Sequence, residues 1–474
     1  MNKTYLKIGI LGLVLSLASC KDSDFLDVAS QQTVEAGDSG TVYTPVSFVN
    51  GVYGMFTDWN YAFSYLGITE IISDNADKGS STTDTGGDKD ILDNLTYTST
   101  DGSIAAMWEH WYKSIGRATQ AIAYIESYGL TDETYKNRLI GECKFLRALN
   151  YFYLVRGWGA VPIQENDITT RASVSDVYAY IEKDLLSAIQ TLPLKSAYSS
   201  ADLGRATKGA AMALLSKVYL YQENWQQAYN YADSVITSGE YALESNYAVI
   251  WRLSGENGTE SIFEFQARGE AVAHGIQQYS QTQGARGTTG WGWGFNVPST
   301  DLLADFNDSG DSIRRDATII FRNSTLYDGR YVGATENPMY NLKAYSSADA
   351  GASDTDKNIR YLRLGEVYLI RAEAANELGK TSQALSDLNT IRERVKLADV
   401  TTTDQTTLRK AIWHERRLEL AFEHDRWFDL IRTGQAASVM QALGKSFVVG
   451  KNELFPIPNS QLIQTPDMGQ NPGW

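Results

Sequence analysis

The sequence predicts a mainly α-helical protein: a scaffold of tetratricopeptide-like helical pairs, with a large irregular, loop-rich region carrying a few short strands. Three observations predict this class. Helical periodicity dominates four stretches of the 474 residues. Two of the helical pairs superimpose in sequence without a gap. The segments between pairs are rich in Gly and aromatic residues, with only short β-prone runs.

The chain opens with Lys3 and Lys7 as a basic head and an apolar run over residues 8–18, too short to span a bilayer, which ends in Leu17-Ala18-Ser19-Cys20. This is the pattern of a bacterial lipoprotein signal. Small residues before the cysteine seat the chain in the signal peptidase, and the thiol supplies the thioether to diacylglycerol. Residues 1–19 are therefore read as a signal peptide, and Cys20 as the lipidation site and first mature residue. Lys21-Asp22-Ser23-Asp24 follows as a polar, acidic tether.

Charge narrows the function classes. The formal net charge of -15 becomes -17 once Lys3 and Lys7 leave with the signal. A chain this acidic lacks the Lys and Arg excess that neutralises phosphates, which excludes nucleic acid as a partner. It also repels anionic membranes, so the lipid is the expected anchor. Cys143, the other cysteine, sits among Leu139, Leu146 and Leu149 and reads as a small buried hydrophobe. Four histidines, none at ligand spacing from another or from a cysteine, give no zinc site.

The first helical pair is predicted over 107–128 and 137–155, with Trp108, Trp111, Ile115 and Ala118 on one face and Leu139, Cys143, Leu146, Asn150 and Leu154 on the other. A helix over 177–191 precedes the second pair, 208–221 and 225–237. The third pair is 364–377 and 382–395, and a last long helix runs 408–431. When the second and third pairs are overlaid, Ala228 falls on Ala384, Ala232 on Leu388 and Val235 on Ile391. Small residues recur where two helices touch, after turns at Glu223-Asn224 and Gly379-Lys380. This is the spacing of a tetratricopeptide unit, in which stacking supplies the core that neither helix builds alone; two unrelated helical hairpins are the alternative. The irregular regions lie near 59–100 and 239–357, and long irregular insertions of this kind are surfaces for binding more often than failed elements.

Several segments resemble one family. Phe145-Leu146-Arg147-Ala148-Leu149-Asn150-Tyr151-Phe152-Tyr153-Leu154-Val155-Arg156, followed by Gly157-Trp158-Gly159-Ala160-Val161-Pro162, is similar to the signature of the SusD/RagB family of surface glycan-binding lipoproteins of Bacteroidetes. So are Ala206-Thr207-Lys208-Gly209-Ala210-Ala211, residues 361–378, Glu415-Arg416-Arg417-Leu418-Glu419-Leu420-Ala421-Phe422-Glu423 with Arg426-Trp427-Phe428-Asp429-Leu430, and the ending from Pro456-Ile457-Pro458 to Gln470-Asn471-Pro472-Gly473-Trp474. Many relatives end in Asn-Pro-Gly-Tyr, and here Trp474 replaces one aromatic by another. The likeness covers 20–474 in order, which implies one SusD-like domain after the signal. It also implies a lid on a SusC-like TonB-dependent outer-membrane transporter that captures an oligosaccharide or polysaccharide at the cell exterior, with no catalysis and no cofactor. The acidic tether resembles the export tag of outer-membrane lipoproteins of that group.

Glu415, Glu419 and Glu423 stand four residues apart, as paired acid and base carboxylates would. Arg416, Arg417 and Arg426 lie close in sequence, so the expectation is an ion-pair network. A sugar has an apolar C–H face and an edge of hydroxyls, so its site needs an aromatic platform and fixed polar partners. Gly290-Trp291-Gly292-Trp293-Gly294-Phe295-Asn296 offers the platform: in an extended segment Trp291, Trp293 and Phe295 share a side, and the glycines leave the rings uncovered. A core-facing strand of alternating aromatics is the other reading. Ser73-Asp74-Asn75-Ala76-Asp77-Lys78-Gly79 offers the polar partners, Asp74, Asn75 and Asp77, which read alternatively as a solvated turn or a calcium loop. Tyr327, Tyr331 and Tyr340 are further candidates. Two other function classes stay open: a tetratricopeptide scaffold for protein partners, and a glycoside hydrolase, for which no carboxylate pair is singled out.

Overall fold

The computed structural model describes residues 44–81, 83–84, 86–164, 169–268, 275–287, 290–348 and 356–474. The expected signal peptide, Cys20 and the expected tether lie outside the described residues. The chain divides into residues 1–47, described only over 44–47, and residues 48–474, to which everything below refers.

Side-chain caps set where most of the long helices begin. Asp101 accepts from the Ile104 amide at the start of α1 (Gly102–Ser127), and Asp132 from that of Tyr135 at α2 (Glu133–Trp158). Ser173, Thr207 and Asn224 do the same for α3 (Val174–Thr191), α4 (Lys208–Tyr221) and α5 (Trp225–Thr237). After the insertion come α6 (Leu364–Glu377), α7 (Thr381–Arg394) and α8 (Gln405–Glu419), the last capped by Asp404. Each helix packs on the next, with α5 against α6, so the second and third pairs stack as repeat units. Ala228, Ala232, Val235, Ala384, Leu388 and Ile391 are all fully buried in those contacts, as the overlay of the two pairs requires.

The helix expected over 408–431 is two helices. α8 stops at Glu419, and α9 covers Arg426–Arg432. Between them Phe422 and His424 adopt left-handed φ of 63° and 70°. The break turns Glu423 and Asp425 inward. Glu423 accepts from Lys343 at 2.8 Å and from Arg363, while Asp425 accepts from Arg156 at 2.9 Å and from Lys217, which also meets Glu366. A straight helix would take a carboxylate from each of these buried cations, a larger penalty than two strained residues.

Glu415 and Glu419 join the same network through partners far away in sequence. Arg314, itself fully buried, reaches Glu415 at 2.6 Å and Glu419 at 2.9 Å; Arg392 also holds Glu415, and Arg363 and Arg394 hold Glu419. The expected neighbours go elsewhere: Arg416 to Asp429, and Arg417 and Arg426 to Asp74. Burial opposes ionisation of Glu419, yet Arg394, Arg363 and Arg314 hold its carboxyl far below the usual range.

The described strands pair two by two, antiparallel. β1 (Ala76–Gly79) meets β3 (Phe295–Pro298), β2 (Ser261–Phe265) meets β8 (Ile359–Arg363), β4 (Ile319–Phe321) meets β7 (Met339–Asn341), and β5 (Ser324–Thr325) meets β6 (Tyr331–Val332). The β1–β3 ladder brings the Asp74 loop alongside the Trp291–Phe295 segment, joining the two irregular regions. Cys143 is buried in α2, and burial pushes its thiol pKa up.

Candidate functional site

The Trp291–Phe295 segment is a clamped turn and not an extended strand. The amides of Trp291 and Gly292 both donate to the Ala285 carbonyl at 2.9 and 3.0 Å, and that of Trp293 donates to the Gln281 carbonyl at 2.9 Å. The glycines serve this close approach: a Cβ on Gly290 would lie 2.2 Å from the Ala285 oxygen, and one on Gly292 2.3 Å from the Gln281 oxygen. Period-two alternation fails as a result, and the two indoles join different aromatic groups.

Trp291, half-buried, packs on the apolar cluster of Val297, Ile320, Leu326, Val332, Tyr340 and Leu342. Its ring meets Tyr345 edge to face at 5.3 Å, and Tyr345 meets Tyr327 at 5.8 Å. Two guanidiniums lie against these rings: Arg330 is 4.8 Å from the Trp291 centroid and 5.8 Å from that of Tyr345, and Arg252 is 3.3 Å from that of Tyr327. Asp328 fixes the backing, accepting from the Tyr345 hydroxyl at 2.9 Å and the Ala348 amide at 2.7 Å. The outer rim is open: Tyr327 is 48 % and Tyr331 58 % exposed. The arrangement offers solvent an aromatic surface with fixed donors beside it.

Trp293 sits on a second group, 5.8 Å from Trp59, which stacks on Phe63 at 5.5 Å; Phe63 in turn meets Phe295 and carries the Lys89 ammonium 3.9 Å over its face. Trp59, Phe63 and Trp293 are each half-buried.

The Asp74 loop departs from expectation. Asp74 is 1 % exposed and gripped end-on by Arg426, with Nε–Oδ1 at 2.8 Å and Nη2–Oδ2 at 2.7 Å, while Arg417 adds a contact at 3.1 Å. Burial raises the carboxyl pKa, but the two guanidiniums outweigh it and hold it at about 2. Asn75 is buried too, and its Oδ1 accepts from Arg417 at 3.0 Å. Both side chains therefore tie β1 to the α8–α9 corner and offer no oxygen to a sugar. Nor does the trio suit calcium, since a cation seated there would face two guanidiniums. Among the described residues no group of three or more His, Cys, Asp or Glu is placed to hold a metal ion. Asp77 alone is exposed, on β1 opposite Val297. Tyr340 is fully buried, with its hydroxyl shared between the Asn337 amide and the Arg286 carbonyl.

Trp291 and Trp293, expected from the sequence as one platform, lie in two separate aromatic groups, and Tyr345, Trp59, Arg252 and Arg330, which accompany them, were not expected. Tyr345 and Arg330 lie within the region read as irregular, but nothing in their spacing marks them. Arg252 reaches Tyr327 across 75 positions, a pairing that only the fold creates.

Fold and surface together define a class: a tetratricopeptide-like helical scaffold whose irregular insertion presents an aromatic face backed by arginine. The comparisons make the assignment specific. Residues 24–220 match the family described as "Starch-binding associating with outer membrane", and residues 318–474 match the one described as "SusD family". The chain belongs to the SusD/RagB family. It is 29 % identical to SusD-like protein P2 of Formosa agariphila, covering 99 % of each chain, and 26 % identical to the starch-binding protein SusD of Bacteroides thetaiotaomicron, covering 74 % of this chain and 75 % of that one. Among solved structures it resembles a laminarin-binding SusD-like protein at TM-score 0.77 and 27 % identity, covering 91 % of this chain and 99 % of the other. A SusD homologue from Bacteroides thetaiotaomicron, at TM-score 0.78 and 24 % identity, shares the fold over 91 % of this chain and 96 % of its own.

Proposed function

We propose that this chain is a non-catalytic, lipid-anchored protein of the outer membrane that captures oligosaccharides at the cell exterior and passes them to a SusC-like TonB-dependent transporter. The observation that carries the reading is the Trp291–Tyr345–Tyr327 array, a partly exposed aromatic surface on the insertion, with its rings fixed by Asp328 and by packing on a buried cluster. The relatives named for starch and laminarin support glycan as the ligand class. Trp293 with Trp59 supplies a second stacking surface, and Asp77 an exposed carboxylate for hydroxyls. The lipobox at Cys20 supports the anchor.

A glycan array probed with the unlipidated Cys20→Ala chain tests capture, and it should return a family of related glycans. Gentle detergent extraction of the native protein tests the partnership, with a β-barrel expected to co-purify. If the extracted protein never carries a barrel, delivery to a transporter is wrong and a free-standing surface binder replaces it.

A further inference from the structure

Most buried arginines of the scaffold face carboxylates, as Arg314, Arg363, Arg394 and Arg416 do, and so does Arg286 near the site, which pairs with Asp84 and Glu336. Arg252 and Arg330 do not. Among the described residues neither has a carboxylate within ion-pair distance; Arg330 gives Nη2 to the Ala348 carbonyl, and the Nη1 of Arg252, which has no acceptor, is buried. Among the described residues Asp328 borders them; it accepts from the Tyr345 hydroxyl and the Ala348 amide and also attracts the Arg252 charge.

Two guanidiniums in one cluster with no direct carboxylate contact among the described residues stand out where the overall charge is -15 and carboxylates are plentiful. Arg252 is half-buried, and burial lowers its pKa against the partial offset of Tyr327 and Asp328. Both are fixed in orientation by the rings beneath them, so their planar donor forks are pre-organised. A purely neutral sugar needs the aromatic faces and ordinary hydroxyl partners, but it gives nothing to two spare positive charges.

Building on the glycan-capture reading, we propose that the array recognises an acidic glycan: an oligosaccharide bearing carboxylate or sulfate groups, with its sugar faces against Trp291 and Tyr327 and its anionic groups on Arg252 and Arg330. The acidic surface elsewhere repels such polymers, so their retention depends on this pair.

Calorimetry of the Cys20→Ala chain with three probes tests the idea: an oligogalacturonate, a κ-carrageenan oligosaccharide and a neutral laminarin oligosaccharide, each at low and high salt. At least one acidic probe should bind more tightly than the neutral one and weaken as salt rises, and the uronate and sulfate arms identify the substituent. Arg252→Gln and Arg330→Gln should each lower acidic-probe affinity about ten- to a hundredfold, the size of one or two charge-assisted hydrogen bonds, with the melting point unchanged. If Arg330→Gln also destabilises the fold, Arg330→Lys decides, since it keeps the charge and loses the fork; weaker acidic-probe binding in a stable protein supports the proposal. Equal or tighter binding of the neutral probe overturns it, as does undiminished acidic binding in the Gln variants, and either result leaves glycan capture standing. If none of the three probes and no glycan on the array binds, glycan capture itself falls.

Discussion

At the residue scale, the chemistry of single side chains depends on which charges the fold brings to them. Glu70, fully buried in a π-helical turn (Gly67–Ile71), shows the effect most plainly. Burial raises its carboxyl pKa to about 8 against the partial offset of the His424 amide and Lys343, while Asp425 and Glu423 push it further up. The folded state therefore keeps a proton that the unfolded chain releases near 4.5. The stability contributed by Glu70 is complete below that pH and is lost as the pH climbs through 8. His424, whose pKa burial lowers to about 3, acts in the opposite sense and loses its contribution as the pH falls below 6.5. Glu70→Gln should thus match the native protein in stability near pH 5 and exceed it near pH 8, by about a few kcal/mol. Melting curves across that range check the point, and parallel pH profiles would contradict the assignment. None of this was visible in the sequence, where Glu70 is one carboxylate among many.

At the element scale, the helices were legible and the insertion was not. Residues 208–221, 225–237 and 364–377 come out as read: 225–237 is amphipathic, whereas 208–221 and 364–377 are buried nearly all round between neighbours, and the caps, where present, are local properties. The helix over 408–431 breaks because cations from α2, α4 and the insertion need Glu423 and Asp425, a demand that periodicity does not register. The same holds for Trp291 and Trp293, whose shared side was undone by hydrogen bonds to Ala285 and Gln281. The repeat reading makes a direct prediction. Ala228 and Ala384 occupy equivalent positions with no room beside them, so Ala228→Leu and Ala384→Leu should each cost about 1–3 kcal/mol through overpacking. Denaturant unfolding of the two variants measures this. Similar losses support equivalence, and a tolerated leucine at one site alone would contradict it.

At the scale of the whole molecule, the buried ion-pair network fastens the insertion to the helical scaffold. Arg314 belongs to the helix Ser312–Thr318 within the insertion, yet its guanidinium binds Glu415 and Glu419 of α8. Arg314→Ala strands Asp311 in the interior and takes one partner each from Glu415 and Glu419, which should cost about 3–5 kcal/mol. The variant should melt well below the native protein and, while folded, still bind glycan; loss of binding at full stability would place Arg314 in the site instead.

The central claim is that the Trp291–Tyr345–Tyr327 array captures the glycan, and titration calorimetry paired with thermal melting of Tyr327→Ala and Trp291→Ala, against the glycan chosen by the array, tests it most directly. Tyr327 is half exposed and should lose about 1–3 kcal/mol of binding, the range of one stacked ring, with little change in melting point. Trp291 should lose binding and a smaller share of stability, since part of its ring is packed. Full affinity in both variants, with only the melting point lowered, would contradict the account and leave these rings as core.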